Sequence, residues 1–479
     1  MKRFGKAKRL NAMIRFPTDE NPKPMFKRNL FLMTLTFLVA SIAITNASLH
    51  AQPPNLLIIF TDDQGYGDVS AYEKRDCHTP NIDRIAAEGM LFKNMRSNCT
   101  VCSPSRAALL TGKYPDRVGV PGVIRTQPEN SWGYFDPHTS TLPDHLKRGG
   151  YKTAIIGKWH LGLQSPNTPN DRGFDLFHGF LGDMMDSYMT HRRHDQNYMR
   201  RNNETIDPQG HATDLFADWA CEFLNEHSNA ASAPPFFLYL AFNAPHFPIE
   251  PPSQWYERVR ARAPDLSPLR AKNVAFVEHL DDCIGRVLRT LDESGLTKNT
   301  LVVFSSDNGG SLPHGQSNHP WRGGKQSHYD GGIRIPFMAR LPGVIQPGTT
   351  TDYAGLNFDL FPTCLELAGI EPAKDIDAIS LLPLMRGEKI DQPRDLYFVR
   401  REGGVPYAGK SYEAIIRGPW KLLQNSPFEP RELYNLQDDP LETTNLAGKN
   451  PRIFNELSIA LSRQVQIGGS TPWQKPNTN

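Results

Sequence analysis

Four short apolar runs constrain this chain more than any other feature. Leu56-Leu57-Ile58-Ile59-Phe60, Thr153-Ala154-Ile155-Ile156, Phe236-Phe237-Leu238-Tyr239-Leu240-Ala241-Phe242 and Leu301-Val302-Val303-Phe304 are continuous, β-branched or aromatic, and carry no polar alternation. A strand with one wet face alternates; runs like these belong to strands buried on both faces, which need helices on both sides of the sheet. Helical patterns lie between them. In Thr213–Asn225 the residues Leu215, Phe216, Trp219, Ala220, Phe223 and Leu224 share one face, and in Asn273–Leu296 so do Val274, Val277, Ile284, Val287, Leu288 and Leu291. The fold class that follows is α/β, a doubly wound sheet with helices on both faces.

Each run ends in potential chemistry. The followers are Thr61-Asp62-Asp63-Gln64-Gly65, Gly157-Lys158-Trp159-His160, Asn243-Ala244-Pro245-His246 and Ser305-Ser306-Asp307-Asn308-Gly309-Gly310. Open α/β sheets bind ligands beyond the carboxyl ends of their strands, so the four termini are expected to converge on one crevice. Asp62, Asp63, Asp307 and Asn308 offer an all-oxygen donor set that suits Ca²⁺ or Mg²⁺ rather than a soft metal. Two adjacent aspartates can both aim inward only if the backbone leaves its regular pleat after the strand. Arg106, Lys158, His160, His246 and Lys325 supply the positive and proton-carrying groups that an esterified anion needs during transfer. Lys325 sits in a Gly-rich stretch able to approach a ligand closely, Pro320-Trp321-Arg322-Gly323-Gly324-Lys325.

Cys102-Ser103-Pro104-Ser105-Arg106, running on to Thr111-Gly112, is the most specific segment. Ser103 is a good N-cap, Pro104 suits a first helical position and Gly112 can close the helix, so Cys102 is expected just ahead of a helix N-terminus, where anions are favoured. This signature and its companions, from Asn55 to Leu433-Tyr434-Asn435-Leu436 and Asp439-Pro440-Leu441-Glu442, resemble the type I formylglycine-dependent sulfatases of the alkaline phosphatase superfamily. The pattern is similar to that of arylsulfatases and N-acetylgalactosamine-6-sulfatases. One departure is Asp330, where many relatives carry Glu before Gly-Gly.

The resemblance implies an alkaline-phosphatase-like mixed sheet and a smaller C-terminal antiparallel-sheet domain. It implies that Cys102 is converted to formylglycine by a maturation enzyme, and that Ca²⁺, with Mg²⁺ the alternative, binds Asp62, Asp63, Asp307, Asn308 and the modified residue at 102. Arg106 and His160 would support the formylglycine hydrate, and Lys158, His246 and Lys325 would bind sulfate. One hydroxyl of the hydrate would attack sulfur, His246 or Lys325 would protonate the leaving oxygen, and the second hydroxyl, deprotonated by His160, would then expel sulfate. The substrates implied are sulfate monoesters, of sulfated carbohydrates. Phosphonate monoester or phosphodiester hydrolysis at the same site, and a non-catalytic glycan-binding role, are the alternatives.

The first residues are a different material. Nine Lys or Arg between Lys2 and Arg28 precede the apolar stretch Leu30–Ala47, which reads as an export signal over 1–51, with Met25 an alternative start and a retained anchor the competing reading. The expectation is a periplasmic or secreted enzyme with no membrane attachment after cleavage, a catalytic domain over 52–383 and a C-terminal subdomain over 384–479. In that subdomain Leu396–Val399, Tyr412–Ile416 and Trp420–Leu423 read as strands, and Pro451–Val465 as a final helix. The net charge of +2 over 479 residues, with no basic stripe interleaved with aromatics, gives a nucleic-acid role no support. Six cysteines show no metal-type spacing, and without Cys102 an odd number remains, so full disulfide pairing is impossible. The stretch Asp183–Arg201 and the loop His314–Arg322 are the expected pocket walls.

Overall fold

The computed structural model describes residues 53–73, 76–230, 232–403 and 411–476. The export signal read over 1–51 lies outside the described residues. Among these, the main sheet has ten strands. Its order is Thr349–Thr351, Met90–Phe92, Phe337–Arg340, Thr300–Ser306, Asn55–Thr61, Phe236–Ala241, Lys152–Lys158, Leu176–Phe180, Met199–Arg201 and Glu204–Thr205. The four apolar runs are the centre of this sheet and pair in parallel, with Leu176–Phe180 as a fifth parallel neighbour. Phe337–Arg340 and Met199–Arg201 run antiparallel to their neighbours, so the sheet is mixed rather than wholly parallel.

Alternate residues of the central strands enter two separate cores. Leu56, Ile58, Phe60, Ile155, Tyr239 and Val303 pack on one face, and Leu57, Ile59, Ala154, Ile156, Leu240 and Val302 on the other. Helices Ala212–Ser228 and Pro268–Glu293 cover the second face, and Cys102–Thr111, Leu142–Arg148 and Leu360–Leu367 the first. Helix Pro268–Glu293 begins five residues ahead of its apolar pattern, because the Ser267 side chain accepts from the Arg270 N–H (3.3 Å) and Pro268 occupies the first turn.

The C-terminal region carries a four-stranded antiparallel sheet, Leu396–Arg401, Ser411–Arg417, Trp420–Gln424 and Glu432–Asn435, with the helix Pro451–Gly468. Its core includes Ala108 of the Cys102 helix together with Ile333 and Leu356, so the small sheet backs directly onto the segment that carries Cys102.

A buried charge cluster reinforces that junction. Asp330 pairs with Arg96 (2.7 Å), Arg334 (2.7 Å) and Lys421 (2.9 Å), and Lys421 also pairs with Glu442 (2.7 Å). Burial would raise the Asp330 carboxyl, but Arg96, Lys421 and Arg334 hold it well below the usual carboxylate range. Removing one partner of a buried ion cluster leaves the others uncompensated, at about 3–5 kcal/mol. Asp330→Ala is therefore expected to lower the urea midpoint of unfolding markedly; an unchanged midpoint would show that the cluster adds nothing to stability.

Candidate active site

The chemistry gathers at the carboxyl ends of the central strands. Asp62 and Asp63 follow strand Asn55–Thr61, and Asp63 takes a left-handed φ of 63°. That departure from the pleat lets two consecutive carboxylates serve one site, at a strain of about 1–3 kcal/mol. His160, just beyond strand Lys152–Lys158, is held the same way at φ 62°. Glycine is required where the strand-end loops meet: a Cβ on Gly65 would lie 2.1 Å from the Ser317 carbonyl oxygen, and one on Gly309 would lie 2.0 Å from that of Gly331.

Cys102 is the first residue of the helix Cys102–Thr111, two positions further in than its sequence suggests. Val101 occupies the N-cap position without a side-chain cap, and the Ser103 hydroxyl instead accepts from the Ile124 N–H (3.1 Å). Gly112 closes the helix in the left-handed region, φ 67°. The Cys102 thiol lies 3.2 Å from an Asp62 oxygen and 3.7 Å from Lys325 Nζ. Burial and the Asp62 charge push it well above its ordinary value, so residue 102 is a protonated thiol and not a thiolate nucleophile.

The ten site residues read from the sequence form two layers. Asp63, Cys102, His160, His246 and Lys325 line a cavity of about 210 Å³. Behind them Asp62, Arg106, Lys158, Asp307 and Asn308 are fully buried. Lys158 pairs with Asp62, and Lys325 with Asp63 at 2.7 Å. Arg106 grips one Asp307 oxygen (3.1 and 2.8 Å), and the Asp63 N–H donates to the other (3.0 Å). The Asn308 side chain donates to Asp63 (2.7 Å), while its amide oxygen is buried with no partner among the described residues.

Burial would raise Asp62, but Lys158, His246, Arg106 and Lys325 hold it well below the carboxylate range; Asp307 is pushed up by burial and by Asp62. A divalent cation among these oxygens would relieve that repulsion, and the donor set fits one. One ligand atom from each of Asp62, Asp63, Cys102 and His246 falls within 4.8 Å of the others, and the Asn308 oxygen has a free lone pair. A calcium-type ion would supply Lewis-acid activation of an oxygen at residue 102.

Burial lowers the pKa of both histidines of the site, His160 and His246. Burial, Lys158 and Arg106 keep His160 well below its ordinary value. Its Nε2–H donates to the Ile124 carbonyl (2.8 Å), which leaves Nδ1 as a buried, unpartnered acceptor. Burial and Lys325 also lower His246, whose Nδ1–H donates to the Phe247 carbonyl (2.6 Å), so its Nε2 accepts from Lys325 (3.1 Å). The transferable proton in this pair therefore rests on Lys325 Nζ. Burial opposes that charge, but Asp63 and Asp62 outweigh it and raise the Lys325 pKa.

Asp183, Met184, Arg193 and His314, from the two segments expected as pocket walls, do line the cavity. Arg125, Phe247, Arg400 and Glu402 line it as well and carry no motif that would have singled them out. Gln64 is a further omission, buried with neither side-chain polar atom partnered among the described residues. A larger cavity of about 640 Å³ near Tyr353, Arg394 and Arg417 has no cysteine, histidine or lysine in its wall. The described cysteines are all free, and no described helix is long and apolar enough to cross a membrane.

An alkaline-phosphatase-like sheet with a nucleophile position, carboxylates and lysines at its strand ends defines a hydrolase of anionic esters. The chain belongs to the Sulfatase family, whose model matches residues 54–370; that of the C-terminal region of N-sulphoglucosamine sulphohydrolase matches 318–466. It is accordingly a sulfuric ester hydrolase. Over 393 residues it is 35% identical to N-acetylgalactosamine-6-sulfatase of Rattus norvegicus, covering 77% of this chain and 71% of the relative. Over 477 residues it is 31% identical to human arylsulfatase A, covering 87% and 88%. The crystal structure of Ps i-CgsB in complex with k-i-k-neocarrahexaose superposes with a TM-score of 0.80 at 28% identity, covering 89% of this chain and 96% of that one.

Proposed function

We propose that this enzyme is exported and hydrolyses sulfate monoesters of carbohydrates, with formylglycine at position 102 and a bound calcium ion or, alternatively, magnesium. The observation that carries the reading is the position of Cys102. It is a buried, protonated thiol between the Asp62 oxygen and Lys325 Nζ, which suits a residue that acts only after conversion. The maturation enzyme that performs the conversion is part of the proposal. Relatives named for a sulfated sugar and a neighbour crystallised with an oligosaccharide support the carbohydrate class. The proposal keeps the export segment at 1–51, the catalytic domain at 52–383 and the C-terminal subdomain at 384–479.

Formylglycine supplies, when hydrated, two oxygens on one carbon, so that one can attack sulfur and the other can expel sulfate. The chain's own residues do the rest. Asp62, Asp63, Asp307 and Asn308 would hold the cation. Lys325 neutralises the sulfuryl oxygens from the cavity wall, Lys158 adds its charge from behind that wall, where it pairs with Asp62, and Lys325 delivers its proton to the leaving sugar oxygen while His246 Nε2 keeps it in place. His160 Nδ1 takes the proton from the second oxygen at residue 102. Arg106, which does not reach the cavity wall, positions Asp307. The test is kcat/KM on an aryl sulfate, an aryl phosphate and an aryl phosphonate monoester, followed by sulfated oligosaccharides. The sulfate should be preferred; a phosphonate or diester preferred over every sulfate would overturn the assignment.

A further inference from the structure

His160 is held in place by one hydrogen bond. The residue sits at a left-handed φ of 62°, and its ring makes a single hydrogen bond among the described residues, from Nε2–H to the Ile124 carbonyl (2.8 Å). That bond fixes the tautomer and leaves Nδ1 as the acceptor, so the placement of Nδ1 is inherited from the segment Gly122–Ile124. The segment is pinned in turn by three contacts. The Val123 N–H donates to Glu402 (3.0 Å) and the Ile124 N–H to the Ser103 hydroxyl (3.1 Å), both inward, while the Val123 carbonyl accepts from the Trp132 N–H (2.9 Å).

Trp132 carries this third contact toward the C-terminal tail. A Cβ on Gly122 would fall 2.7 Å from the Trp132 Cβ, and one on Gly403, next to Glu402, would run into the Trp132 ring. The indole therefore packs directly on backbone at both sides of the cavity wall. Trp473, from the tail that follows helix Pro451–Gly468, stacks on that indole, ring centroids 5.1 Å apart and 7° between planes. The tail is fastened just before it, where the Thr471 hydroxyl donates to the Arg117 carbonyl (3.0 Å). We propose that Trp473 is a positioning residue for His160: through Trp132 it braces the Val123–Ile124 segment whose carbonyl holds the imidazole. This rests on the reading above of His160 as the group that takes the second proton, and it gives the tail a part in that step alone. Expulsion of the alcohol depends on Lys325 and His246, which the tail does not touch.

The test follows aryl alcohol and free sulfate separately in single turnovers of the matured enzyme, in excess over 4-nitrophenyl sulfate, whose good leaving group keeps the first step fast. Trp473→Ala should release the alcohol at the wild-type rate and the sulfate about 10-fold more slowly, less than the roughly hundredfold that a full ångström of misplacement can cost. In the steady state kcat and KM should fall together and leave kcat/KM nearly unchanged. A smaller fraction of folded enzyme would instead lower kcat and leave KM as it was. Trp473→Phe, which keeps a flat ring on Trp132, should restore most of the rate. His160→Gln should show the same delay more strongly, and adding Trp473→Ala to it should slow sulfate no further. Sulfate release at the wild-type rate in Trp473→Ala, or a lower kcat/KM with no delay, overturns the brace; a delay in His160→Gln then leaves the base reading standing. The absence of a delay in His160→Gln overturns both.

Discussion

Cys102→Ser is expected to cut kcat/KM on an aryl sulfate by at least about 10³-fold, about 4 kcal/mol of transition-state stabilisation. The thermal midpoint should stay close to wild type, because the smaller hydroxyl can still face Asp62 across the 3.2 Å the thiol now spans. A serine hydroxyl can attack sulfur but has no second oxygen on its carbon, so its sulfate ester has no internal route of release. Excess aryl sulfate should therefore give at most one turnover, with sulfate retained on the protein. Enzyme co-expressed with a maturation system should show an aldehyde at position 102 by peptide mass spectrometry. Fully active enzyme in which only unmodified cysteine is found would refute the formylglycine assignment.

Loss of the cation should be nearly as severe. Dialysis against a chelator is expected to abolish turnover, with recovery on adding Ca²⁺ or Mg²⁺, and elemental analysis should find one of these rather than stoichiometric zinc or iron. The structure also decides which variant tests the site cleanly. Asp307→Ala would strip fully buried Arg106 of its 2.8 Å partner, at a folding cost of about 3–5 kcal/mol, and so mix stability with catalysis. Asp307→Asn keeps an oxygen for Arg106 while removing the charge that the cation needs. It is expected to lower activity by about 10²-fold or more with a modest change in melting temperature. Wild-type activity in chelated Asp307→Asn protein would remove the metal from the mechanism.

Much of this molecule was legible in its sequence, because the informative signals were local. An unbroken apolar run of five to seven residues can hardly be anything but a strand buried on both faces, and the structure sends alternate residues of Asn55–Thr61 and Phe236–Ala241 into two separate cores. A strand end followed by Asp-Asp, Lys-x-His or Asp-Asn-Gly announces chemistry for the same local reason. Two outer strands were less legible: Met90–Phe92 and Thr349–Thr351 are three residues each, too short to show a period. The strand Glu432–Asn435 was visible only as part of a motif.

What the chain's own pattern determined was the sheet, the helices that cover it and the residue types at the strand ends. Tertiary structure alone decided which of those residues face the cavity and which stand behind it. Arg106 reads like a substrate ligand, yet it is buried against Asp307, 201 positions away. Arg125 and Phe247 look like ordinary loop residues, but Glu402, 277 positions from Arg125, turns one of them into a wall of the site. The physical reason is range. Periodicity and capping act within a few residues and survive in the one-dimensional sequence. The pairing of buried charges is settled only when packing brings distant segments together and leaves each carboxylate with the cations that happen to surround it.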